Sequence, residues 1–263
     1  QLWLLLAIFT ITLLSGCSSV PRKEAQAPLT PLDPQALQTQ AMQAMRGGNA
    51  AQARKAAELL LMRDMRAPRS HLLLGAAHQL QDDPALVDLA GSGFESATRL
   101  GDSGPWPHYL AGINLMRQNR HDAAAEAFAR AVMADPSASW AYEGLAAAAY
   151  LSGDLALADA SAARARQLDP QSAGAWRTAV LSAAGSDDRA ATQQLLSNAP
   201  SSLPAVDRDW VASRANLLLR TAAVDQVNTA DILGSIETTP PPAIAPQQLS
   251  VDVTLILGDL RQS

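Results

Sequence analysis

Pro136, Pro170 and Pro204 stand 34 residues apart, and one pattern of small and bulky side chains recurs ahead of each. In the segment from Pro105, Gly112 is eighth, Ala124 twentieth, Phe128 twenty-fourth, Ala131 twenty-seventh and Pro136 thirty-second. In the segment from Ser139 those places hold Ala146, Ala158, Ala162, Ala165 and Pro170. The segment from Ala173 is looser, with Trp176 fourth, Leu196 twenty-fourth, Ala199 twenty-seventh and Pro204 thirty-second. A fixed period of this length means one supersecondary unit, stacked, because a single unit cannot bury its own apolar face.

Each recurring place has a physical reason. Gly112 and Ala146 let the first helix of a unit approach its partner, and Ala124 and Ala158 do the same on the second. Phe128 fills the space between successive units. The prolines fall after the second helix, where a missing N–H and a fixed φ stop it. Gly153-Asp154 and Asn119-Arg120 supply turn chemistry between the two helices. Aromatics are only 4% of the chain while alanine is abundant, which suits closely stacked helices better than strands. The 34-residue helix-turn-helix pattern resembles the tetratricopeptide repeat, and the resemblance covers about two thirds of the chain.

The lattice extends backwards. A unit from Pro34 has Gly48-Asn49 at its turn and Ala53, Ala57 and Leu60 on its second helix; a unit from Pro68 has Gly75 eighth. That second unit runs 37 residues, with the extra residues expected around Asp82-Asp83-Pro84 and Pro84 placed to open the second helix. Gly91 and Gly93 are expected to interrupt that helix. Five units starting at 34, 68, 105, 139 and 173, and a further helix around Asp209–Arg220 covering the end, predict an all-α solenoid over 34–236.

Leu2–Leu14 is apolar and uncharged, and Ser15-Gly16-Cys17 follows, the layout of a secretory signal ending at a cleavage site. The run is short of the roughly 20 residues that span a bilayer. Leu14-Ser15-Gly16-Cys17 resembles the bacterial lipobox, which implies that residues 1–17 are a leader and that Cys17, the single cysteine, carries lipid. Gln1 stands in place of an initiator Met and no basic residues precede the run, so the sequence is expected to start a few residues late. Residues 18–33 are polar with three prolines and read as a tether; at about 3.1 Å per residue they reach about 50 Å. Ser18, not Asp, after the cysteine implies, through the same resemblance, the periplasmic face of the outer membrane.

Past the repeats, 225–236 is expected to be one more helix and the Pro-rich 237–249 a linker. Val251, Val253, Leu255 and Leu257 alternate with Asp252 and Thr254, a strand pattern within 250–263. A lone strand must pair with something, so it either docks on a partner sheet or begins a β domain of a longer chain; the second is the expectation.

Catalytic constellations do not emerge. His71 and His78 lack a third metal ligand, and no His-Glu-x-x-His occurs. Gly91-Ser92-Gly93 lacks the context of a phosphate loop. Asp82-Asp83 and Asp187-Asp188 sit at turns, where solvated acids at helix N-termini are expected. A net charge of -5 and a pI near 5.3 lack the basic footprint of a nucleic-acid binder. The chain is therefore read as a non-enzyme, with no small-molecule substrate.

Stacked hairpins curve into a superhelix whose concave face takes peptides. In the family resembled, the second, fifth, ninth, twelfth and thirteenth residues of each unit line that groove. This implies Trp106, Tyr109, Ile113, Met116 and Arg117 in one unit, Trp140, Glu143, Ala147, Tyr150 and Leu151 in the next, then Arg177 and Leu181. Aromatics and arginine are what binding hot spots favour, although Trp and Tyr at these places can equally pack between units. Tyr109 and Ile113 stand where repeat domains that clamp chaperone C-termini use Lys and Asn, so the groove is expected to hold an apolar protein segment, with Arg117 and Arg177 reading nearby acceptors. A lipid-anchored chain of such repeats resembles outer-membrane lipoproteins that assemble pili or secretion channels. The alternatives are the periplasmic arm of a larger envelope protein with a β domain, and an adaptor of cell-wall hydrolases.

Overall fold

The computed structural model describes residues 33–81 and 83–222. Cys17 and the segment that resembles a lipobox, the expected tether as far as residue 32, and the helix, linker and strand expected over 225–263 lie outside them. The described residues form eleven helices: α1 Pro34–Arg46, α2 Ala50–Arg63, α3 Pro68–Gln79, α4 Val87–Arg99, α5 Pro105–Arg117, α6 His121–Ala134, α7 Ser139–Ser152, α8 Leu155–Leu168, α9 Ala173–Gly185, α10 Arg189–Ser197 and α11 Ala205–Ala222. The five unit starts expected from the period are the first residues of α1, α3, α5, α7 and α9. No strand occurs among the described residues. None of the described helices is long and apolar enough to cross a membrane.

Two local devices, each repeated, set the helix boundaries. Between the helices of a pair, the chain turns through a left-handed residue: Gly48 (φ 69°), Asn119 (φ 56°), Gly153 (φ 89°) and Asp187 (φ 56°). The next residue's N–H reaches back five residues, as from Asn49 to the Ala44 carbonyl at 2.8 Å and from Asp154 to that of Ala149 at 2.9 Å. This closes the helix carbonyls that have no partner within it. Asn49, Asp154 and Asp188 then cap the following helix, accepting from the N–H of Gln52, Leu157 and Ala191.

Between pairs, an aspartate makes the turn. Asp64, Asp102, Asp135 and Asp169 each accept, through Oδ1, the N–H two residues on, at 2.8–3.0 Å. This is the Asx-turn, in which a short acidic side chain stands in for a backbone carbonyl. Pro136 and Pro170 follow two of these aspartates and add a fixed φ to a turn the side chain already holds.

Within pairs, a steric rule links the eighth residue to the bulk opposite. A methyl placed on Gly112 would sit 2.7 Å from the Phe128 ring, and one on Gly75 would sit 2.7 Å from that of Phe94. Where the eighth residue is alanine, Ala41 and Ala146, the opposing place holds Ala57 and Ala162, all fully buried. Phe128 also abuts Gly144 of the next pair, so one ring is held by two backbones. Two fixed contacts of this kind, Gly112 and Gly144 on the Phe128 ring, limit how closely α5, α6 and α7 approach.

The irregular second pair departs from expectation in two respects. Pro84–Leu86 forms a single turn of 3-10 helix, capped by Asp83, and α4 follows from Val87. Gly91 and Gly93 do not interrupt α4, which runs unbroken to Arg99. A methyl at Gly93 would lie 2.9 Å from both the Gly75 Cα and the His71 carbonyl, so Gly93 is where α3 and α4 cross most closely. Their packing offsets the roughly 1 kcal/mol that a mid-helix glycine costs.

Buried residues run continuously from Leu37 to Ala148, and a second apolar cluster closes the C-terminal end of the stack. There Trp176, Val180 and Ala184 of α9 meet Leu203 and Val211, Ala215 and Leu219 of α11. The Trp176 indole N–H donates to the Leu195 carbonyl at 2.7 Å, satisfying the polar edge of a buried ring. The covering helix is longer than expected: α11 begins at Ala205, so Trp210 lies in its second turn rather than at its head.

Candidate functional site

The first helices of the pairs touch one another in series, α1 with α3, α3 with α5, α5 with α7, α7 with α9 and α9 with α11. Each second helix packs on the first helix of the next pair, as α4 on α5 and α6 on α7. The odd-numbered helices thus form the inner row of the stack, and the groove residues expected from the repeat positions lie on them.

The structure brings the aromatic ones together. Trp106 and Trp140 stack with ring centroids 4.2 Å apart and planes 9° from parallel. Tyr109 meets both edge-on, at 6.1 Å from Trp106 and 4.5 Å from Trp140, and lies 5.4 Å from Phe128. These offset and edge-to-face arrangements match the charge distribution of aromatic rings. They also consume surface: Trp106 is 6% and Tyr109 7% exposed, and Ile113 and Met116 are buried with them. The rings join α5 to α7, the packing role that the sequence leaves open beside the groove role.

Trp140, Ala147, Tyr150 and Arg177 are half-buried, and Leu151 is exposed. The accessible part of the expected groove therefore lies on α7 and α9. Burial raises the Tyr150 hydroxyl above its usual range, against the opposing charge of Arg214 on α11. Arg117 points elsewhere: its Nη1 donates to the Gln79 carbonyl at 2.7 Å, closing the last turn of α3.

Glu143 ties α7 to α9. The Ser172 hydroxyl donates to Oε2 of Glu143 while accepting the Ala175 N–H at 3.1 Å, so one hydroxyl both caps α9 and holds the carboxylate. A Cβ at Gly174 would collide with Oε1. Glu143 as a residue is half-buried, but its carboxylate is taken out of water over the first turn of α9. Desolvation pushes its pKa up; the Ser172 hydrogen bond and the Arg177 charge pull it down, and Asp169 adds to the rise.

A polar pair absent from the expectations stitches the irregular junction. Gln79 donates to the Leu110 carbonyl at 3.2 Å and Asn114 to that of Val87 at 2.9 Å, both side chains buried. The signal was present: Gln79 stands twelfth, where other units carry Met45, Met116 and Tyr150.

His71 and His78 serve the fold. The His71 Nε2 lies 2.9 Å from the Met65 carbonyl. Burial lowers the pKa of His78, helped by Arg54 and opposed by Glu58. Among the described residues, no three His, Cys, Asp or Glu gather as a metal site.

Paired helices on a common period, an inner row of first helices and a glycine or alanine at the crossing in each of the first four pairs define a tetratricopeptide-repeat solenoid. No protein-family model matches the chain, and no curated protein matches it significantly. Solved structures do. The crystal structure of MamA superposes with a TM-score of 0.55 at 17% identity, over 66% of this chain and 96% of that one. A MamA fragment from Desulfovibrio magneticus RS-1 gives 0.54 at 16% identity, over 70% and 95%. YrrB, described as a TPR protein with an unusual peptide-binding site, gives 0.54 at 18% identity, over 73% and 93%. At these identities the likeness is one of fold.

Proposed function

We propose that this chain is a non-catalytic protein-binding scaffold, held to the periplasmic face of the outer membrane by lipid on Cys17, that assists assembly of a pilus or secretion channel. The observation that carries the scaffold reading is the inner row of odd-numbered helices. On it, Trp140, Ala147, Tyr150 and Leu151 of α7 leave apolar surface accessible beside Arg177 of α9. A partly exposed aromatic pair with a flanking guanidinium is the composition of a binding hot spot. The ligand is an apolar segment of a protein, lying along α7 with an acceptor near Arg177. The anchor and the compartment rest on Leu14-Ser15-Gly16-Cys17 and Ser18.

The test is capture from solubilised envelope by the intact chain, with Tyr150→Ala plus Leu151→Ser as the groove variant and Cys17→Ser as the anchor variant. Secretin or pilus components retained by the wild type and lost by the groove variant are the expected result. Equal capture by both overturns the groove; capture of cell-wall hydrolases alone reassigns the scaffold to their regulation. Metabolic labelling with a fatty-acid analogue, lost in Cys17→Ser, tests the anchor separately.

A further inference from the structure

The accessible part of the inner row lies beside the helix from which the chain runs on. Trp140, Ala147 and Tyr150 of α7 are half-buried and Leu151 is 45% exposed, together an apolar strip. Two arginines border it: the charge of Arg177 on α9 acts on Glu143, and that of Arg214 on α11 acts on Tyr150. The strip's own carboxylate, Glu143, is held over the first turn of α9 by the Ser172 hydroxyl, with Asp169 near it. Because α9 touches both α7 and α11, and α11 ends at Ala222, the chain continues from one helix beyond the strip. The sequence that follows carries matching chemistry. Between 223 and 260 stand five acids, Asp225, Asp231, Glu237, Asp252 and Asp259, and no base. At the two-residue period of an extended chain, Val251, Val253, Leu255 and Leu257 share one side, and Asp259 comes next on that same side. An apolar run closed by a carboxylate is what a strip of Tyr150 and Leu151 beside a guanidinium accepts.

We propose that residues 251–259 of this chain occupy the strip themselves: Leu255 and Leu257 cover Tyr150 and Leu151, and Asp259 pairs with Arg177. This occupancy rests on the proposed groove and adds that a partner enters by displacing the chain's own segment. Residues 223–250 make the connection. At up to about 3.3 Å per residue they can exceed several times over the roughly 20 Å of two helix spacings. Tethering makes the encounter intramolecular, at an effective concentration on the order of millimolar. A groove open to water leaves one edge of an extended backbone hydrated, so the segment's N–H and C=O groups find partners without a sheet.

The photo-cross-linker p-benzoylphenylalanine replaces the exposed Leu151 in the full chain. Light and nitrogen-15 chains are mixed, irradiated, and their cross-linked peptides placed by mass spectrometry. Cross-links from position 151 into 251–259 are expected, joining light to light and heavy to heavy alone. Leu255→Ser plus Leu257→Ser should lower their yield at least about fivefold, as loss of two buried leucines requires. Asp259→Asn should lower it about twofold at low ionic strength, a difference that high salt erases. No cross-link within 251–259, or a yield that ignores the leucine pair, overturns the proposal. Mixed light–heavy pairs assign the strip to a second copy and overturn it as well. An absent cross-link leaves the groove itself standing where Tyr150→Ala plus Leu151→Ser still loses captured partner, so the two readings fail separately.

Discussion

Trp106 and Trp140 occupy the same place in successive repeats and stack on each other, centroids 4.2 Å apart. A repeat period that places one residue type twice thereby manufactures a contact between the two copies. The contact is worth more than the area it buries. In a double-mutant cycle of Trp106→Ala and Trp140→Ala, read by urea denaturation, a coupling energy of about 0.5–1.5 kcal/mol is expected. Strict additivity would mean the rings are neighbours without mutual stabilisation.

The glycine–phenylalanine rule makes a sharper prediction. Gly112→Ala should destabilise by about 1–3 kcal/mol through overpacking against Phe128, although alanine is the better helix former. In a Phe128→Ala background the same substitution should become neutral or stabilising, because the pair then matches Ala146 with Ala162. Thermal or urea unfolding of the four proteins checks the change of sign.

Glu143 gives a pH signature. Its folded pKa is raised, chiefly by burial, so the native state holds the proton more tightly than the unfolded chain. The stability it contributes is then fully present below the unfolded carboxylate pKa and falls as pH rises through the folded one. Glu143→Gln removes that titration while keeping an oxygen for the Ser172 hydroxyl. The unfolding free energy of the wild type, relative to Glu143→Gln, should decline from acidic pH upward. A difference that is flat or grows with pH contradicts the desolvation argument.

The left-handed turn residues can be tested in opposite directions. Gly153, at φ 89°, should cost about 1–2 kcal/mol when changed to Ala, since a Cβ is strained there. Asn119, at φ 56°, already bears that strain in part, so Asn119→Gly should be neutral or slightly stabilising. Calorimetric melting of both variants decides it.

Much of this molecule was legible along the chain. The first residues of α1, α3, α5, α7 and α9, the turn residues Asn119 and Gly153, and the small eighth residues are local choices. A missing Cβ, a missing N–H or a short polar side chain acts on backbone within a few residues, so its effect can be read without knowing what lies across the molecule.

Side-chain partners across the stack are a different matter, and only the tertiary structure decided them. The sequence assigns Trp106, Tyr109 and Trp140 a helix face, but that face looks both into the groove and onto the neighbouring helix. The axis separation determines how much of each ring is left for a ligand. Arg117 shares the same register, yet reaches the carbonyl of Gln79 because the end of α3 comes within its span. Gly93, in sequence a helix breaker, becomes a crossing point because α3 lies against it. Glu143 is a groove residue by register and a desolvated acid in fact, because α9 begins above it. Periodicity fixes the phase of a side chain around its helix; the distance to the next helix is set by every contact between them at once.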